Sequence, residues 1–136
     1  MTAACAWNAG RWQTCYEVAC AAREQLRERH ERVTWERDTA SIFEVDALRW
    51  MGQWSVMKAI LPGLIEDARY RGDLYAETIL QMHGGSCACL ADDEPDRARE
   101  GLQILGRWSN TGFHIEHLVD IHNQVEIALY TGDGSH

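Results

Sequence analysis

Histidines and cysteines are where this chain could do chemistry. His83 and Cys87 stand four apart, and His114 and His117 three apart, with Glu116 between them and His122 further on. Residues three or four apart on a helix share a face, so each pair can present two groups side by side. A tetrahedral zinc site needs four such groups to converge. His83, Cys87, His117 and His122 would form that set if two helices brought them together, and they are the candidates for a metal-binding or enzymatic site. Packed thiols and core imidazoles with a satisfied ring nitrogen are the simpler reading of the same residues. Cys87-Ala88-Cys89 puts its sulfurs about 200° apart on a helix, unlike a Cys-x-x-Cys clip. Ser41, Ser55, Ser86 and Ser109 lack the glycine context of a nucleophile elbow. Asp92-Asp93-Glu94 and Glu44/Asp46 read as carboxylates at helix starts or on polar faces, where solvation and the helix dipole suffice. No catalytic residue, resident metal or cofactor is therefore assigned.

The positioning elements must be helices. In 136 residues there is no run of strand-like alternation, and the apolar residues recur at steps of three and four. That spacing predicts helices over 11–29, 34–51, 53–71, 74–90, 95–108 and 113–130. Thr34 and Asp73 are the expected caps, and Asp93-Glu94-Pro95 is a helix start. Asn110-Thr111-Gly112 is expected to end the fifth helix. Pro62 lies inside the third with the stripe in phase on both sides, so a kink is expected there. Gly84-Gly85 inside the fourth suggests close approach of a neighbouring helix, or else a local break. The last helix should bury Ile115, Leu118, Val119, His122, Val125 and Leu129. The six tryptophans, at 7, 12, 35, 50, 54 and 108, stand mainly at turns and helix ends as wedges or as an aromatic contact patch.

These helices repeat. Trp7-Asn8-Ala9-Gly10-Arg11-Trp12 returns as Trp50-Met51-Gly52-Gln53-Trp54, 42 positions on. Weaker copies are Leu90–Pro95 and Tyr130-Thr131-Gly132-Asp133, so turns fall near 10, 52, 93 and 132. A second marker, Arg69–Leu74, is echoed at 107–113, with Gly72 and Gly112 40 positions apart. Two interleaved turns at this period mean stacked helical hairpins. The expected fold is all-α: one domain over 1–136, a right-handed α-solenoid of about three antiparallel hairpins. Half-repeats at either end suggest part of a larger protein, or a dimer that completes itself across an interface.

Composition limits the partners. Thirteen basic against 21 acidic residues give −8, which argues against nucleic acid; that Lys58 is the single lysine fits a GC-rich coding sequence. No apolar run reaches the ~18 residues of a membrane span, and 1–8 lacks the features of a signal peptide. Five cysteines without framework spacing fit reduced thiols in the cytoplasm.

Hairpins with glycine turns, small residues in the helix after the turn and aromatics at the junction resemble tetratricopeptide repeats. Ile65-Glu66-Asp67-Ala68-Arg69-Tyr70-Arg71-Gly72-Asp73-Leu74-Tyr75-Ala76-Glu77 and Ala91-Asp92-Asp93-Glu94-Pro95 resemble the divergent tetratricopeptide-like tails of bacterial serine/threonine protein kinases and AAA-type regulators. The resemblance implies a non-catalytic protein-protein interaction or scaffold module in a bacterial signalling protein. Its groove would hold a protein or peptide. Glu77, Gln81, His117, Asp120 and Gln124 are the candidate partner-binding residues, suited to a basic or neutral partner. Homodimerisation through 1–26 or 113–130 is the alternative.

Overall fold

Five helices end in the same way. At Gly10, Gly52, Gly72, Asp93 and Gly132 the backbone enters the left-handed region, with φ between 61° and 71°. The next residue then donates its N–H to a carbonyl five positions back: Arg11 to Ala6, Gln53 to Leu48, Asp73 to Ala68, Glu94 to Cys89 and Asp133 to Ala128, all at 2.9 Å. This is the Schellman closure, which satisfies carbonyls that the ending helix leaves open. In the weak copy at 90–95, Asp93 takes the place of glycine; aspartate is among the few residues that tolerate this conformation.

The computed structural model describes residues 2–27, 33–108 and 112–134, and among them every regular element is helical. In chain order these are α1 (Ala3–Asn8), α2 (Trp12–Arg27), α3 (Thr34–Trp50), α4 (Trp54–Tyr70), α5 (Leu74–Leu80), a π-helical turn (Gln81–Gly85), α6 (Ser86–Ala91), α7 (Pro95–Gly101), a 3₁₀ segment (Leu102–Arg107) and α8 (Ile115–Thr131). The expected helix end at 28–29 and the stop at Asn110-Thr111 lie outside the described residues. The chain divides into two compact units, Met1–Ile60 and Leu61–His136.

In the first unit, Ala6, Cys15 and Ala47 are fully buried, with Ala3, Trp7, Tyr16, Phe43 and Met51 packed around them. Small residues at the centre let α1, α2 and α3 approach closely. The repeated tryptophans meet here: Trp12 stacks on Trp50 at 5.5 Å, and Trp7 meets Trp12 edge-on at 6.0 Å. Glu44 and Asp46 are buried rather than solvated. Arg23 grips Glu44 with Nε and Nη2 at 2.6 and 3.2 Å, so the carboxylate is paid back inside the fold for the water it lost. Thr34 opens α3 but does not cap it; Val33 holds the cap position without a side-chain bond.

In the second unit, Asp73 caps α5 by accepting from the Ala76 N–H at 2.9 Å, and Pro95 opens α7, both as the sequence predicts. α4 is continuous through Pro62. The helix expected over 74–90 instead contains the π turn, and Gly84-Gly85 lie in it. The helix expected over 95–108 stays α-helical only to Gly101. One side chain touches both changes: Gln81 Nε2 donates to the Gly101 carbonyl at 3.0 Å. The chain tightens to 3₁₀ from the next residue, with Gly101 as the cap of that segment.

α8 corrects a sequence expectation. Its inward residues are Glu116, Val119, Asn123 and Ile127, at steps of three and four. Of the six expected core residues only Val119 is buried; Ile115, Leu118, His122, Val125 and Leu129 are exposed. The stripe exists, but it faces out.

Candidate functional site

Glu77 sits on α5 with 3% of its surface exposed. Arg69 Nε donates to one carboxylate oxygen at 3.0 Å and Arg107 Nη1 to the other at 2.6 Å. Burial alone would push this carboxyl up; the two guanidiniums outweigh it and hold the pKa below the usual value. Beside it, Trp108 Nε1 donates to the fully buried Thr78 hydroxyl at 2.9 Å. Glu77 thus ties α4, α5 and the 3₁₀ segment together, and its oxygens are engaged within the fold. Gln81 is likewise engaged, on Gly101.

The remaining candidates lie on or beside α8. His117 Nδ1 accepts from the His114 N–H at 3.0 Å, closing a capping box, and its ring makes stacked contacts with Phe113 and with His114. Asp120 and Gln124 are bonded to each other at 2.5 Å. Both line a cleft of about 460 Å³ with Arg99, Leu102, Gln103 and Ile127. The structure therefore brings Asp120 and Gln124 into one site and leaves Glu77 and Gln81 outside its lining.

Of the metal-type set, Cys87 and His122 do converge, but on a carboxylate. Cys87 Sγ lies 3.7 Å from Glu126 Oε2, and His122 Nε2 lies 3.9 Å from Glu126 Oε1. Among the described residues no three His, Cys, Asp or Glu side chains are arranged to hold a metal ion. Burial pushes the thiols of Cys15, Cys20 and Cys89 up, away from the reactive thiolate.

The feature that sequence reasoning misplaced is the outer face of α8. Ile115, Leu118, Ile121, Val125 and Leu129 are 51–77% exposed, and Phe113 ahead of the helix is 69% exposed. On a helical surface Ile121 and Val125 neighbour Gln124 and Ala128, which line the cleft, so the apolar stripe runs along its rim. Meanwhile the inward face carries Asn123, fully buried, with neither amide atom hydrogen-bonded. Isolated surface leucines are ordinary; here the exposed aliphatic residues follow one another along a single helix face.

Comparison with known proteins adds no relative: no protein-family model, no curated protein and no solved structure matches the chain. Among the described residues no helix is long and apolar enough to cross a membrane.

Proposed function

We propose that this chain is a non-catalytic protein-interaction module made of tetratricopeptide-like helical hairpins, and that it docks its partner on the outer face of α8. The carrying observation is the orientation of that helix, which turns five large aliphatic side chains outward while burying Glu116 and Asn123. The shared turn geometry at residues 10, 52, 72, 93 and 132 supports the hairpin-repeat reading. A regulatory place in a larger signalling protein rests on the sequence resemblance.

The test is the double variant Leu118→Gln/Val125→Gln. Truly outward side chains tolerate this change, so the unfolding midpoint should stay within about 0.5 kcal/mol of wild type. Binding of a hydrophobic dye should fall at the same time. A loss of about 2–5 kcal/mol, the cost of disrupting a packed core, would show that α8 is seated the other way round and remove the surface.

A further inference from the structure

The charge of this protein is not spread evenly. Met1–Ile60 contains eight acidic and eight basic residues, so it is neutral. Leu61–His136 contains thirteen acidic and five basic residues, so the whole net charge of −8 belongs to the second unit. No lysine or arginine follows Arg107, whereas Glu116, Asp120, Glu126 and Asp133 do. The apolar stripe of α8 therefore belongs to the acidic unit and to a helix that carries no lysine or arginine; Asp120 and Asp133 line the cleft at its rim together with Arg99, and Glu116 is buried on the opposite face. The C-terminal end of α8, where helix carbonyls add partial negative charge, also carries Asp133.

The stripe itself has the spacing of a helix–helix seam. Leu118, Ile121, Val125 and Leu129 follow one another at steps of three, four and four. They extend over roughly 17 Å at 1.5 Å per residue, or about three turns. A helix is the element whose own ridge matches such a row.

From these observations, and resting on the interaction reading above, we propose that the partner is a cationic amphipathic helix, with an aliphatic stripe laid along α8 and Lys or Arg on its flanks. A second copy of this chain is the poorer occupant, because it would set one unit of −8 against another. An anionic lipid surface is disfavoured on the same ground.

The experiment uses the full chain and two synthetic helical peptides with the same leucine stripe, one flanked by lysines and one by glutamates. Fluorescence anisotropy reads binding at low and high salt, and light scattering reads the mass of the chain alone. The lysine peptide should bind at least about tenfold more tightly, with an affinity that falls as salt is raised. Val125→Gln/Leu129→Gln should lose that binding with an unchanged melting temperature. Equal binding of both peptides would overturn the charge requirement and leave α8 as an interaction face. A dimer of the chain alone that Val125→Gln/Leu129→Gln dissolves would replace the foreign helix by a second copy. Absence of binding by either peptide to a monomeric chain would overturn the proposal. The interaction reading itself falls only if Leu118→Gln/Val125→Gln unfolds the protein.

Discussion

Glu77 keeps its charge in a nearly closed environment because two guanidiniums meet it, one on each oxygen. Both arginines stay more than half exposed, so water shares their charge and the pairs are weaker than fully buried ones. Glu77→Gln is accordingly expected to cost about 1–3 kcal/mol in denaturant unfolding, less than a sealed pair would. The cost should depend on pH in one direction. The folded pKa lies below the unfolded value of about 4.3. The stabilisation is thus complete above that value and disappears as pH falls through the lowered folded value. Wild type and variant should differ at neutral pH and converge in acid; a difference that grew in acid would contradict the ion-pair account. The arrangement was not readable beforehand, since Arg107 is 30 residues from Glu77 and only the packing of α5 against the 3₁₀ segment joins them.

At the scale of elements, glycines with opposite duties can be told apart. Gly72 has φ +70° at the turn between α4 and α5, where a side chain is strained, so Gly72→Ala should destabilise by about 1–2 kcal/mol. Gly85 has ordinary helical φ of −65°, and an added Cβ would meet Gln81 Cγ at 3.7 Å, an ordinary contact. Gly85→Ala should therefore be neutral or stabilising by up to about 1 kcal/mol. Thermal unfolding of the two variants side by side checks the contrast, and equal losses would contradict it. The turns were legible because a left-handed residue selects glycine whatever the tertiary context. The π turn was legible only as an irregularity at Gly84-Gly85, because the apolar spacing runs through it and does not say which kind of turn forms. α8 shows the same limit in another form: periodicity located its aliphatic stripe, yet a stripe has two sides to choose from. Asp120 and Gln124 were readable as a polar pair four apart, while the cleft they share with Arg99 and Gln103 depends on how α7 lies against α8.

For the whole molecule, the governing quantity is the gathering of −8 in the second unit. Like charges confined to one compact body repel, and added salt screens them. Thermal unfolding of the free chain should shift upward by a small amount as monovalent salt is added. A downward shift would show that ion pairs such as those on Glu44 and Glu77 outweigh the repulsion. The cationic partner would act in the same sense, by adding positive charge to the unit in which acidic residues outnumber basic ones thirteen to five.

The amino-acid sequence by itself determined that the chain is helical, where helices stop at left-handed turns, that Asp73 and Pro95 begin two of them, and that the total charge is acidic. These are local or additive properties, set by backbone sterics, hydrogen bonds a few residues apart and simple counting. Only the tertiary structure decided which face of α8 points outward, which carboxylates are buried and paired, and that Cys87 and His122 meet on Glu126 rather than on each other. Those outcomes depend on contacts between residues distant along the chain. Each is settled by competition among all faces for a limited interior, and no local pattern records the result.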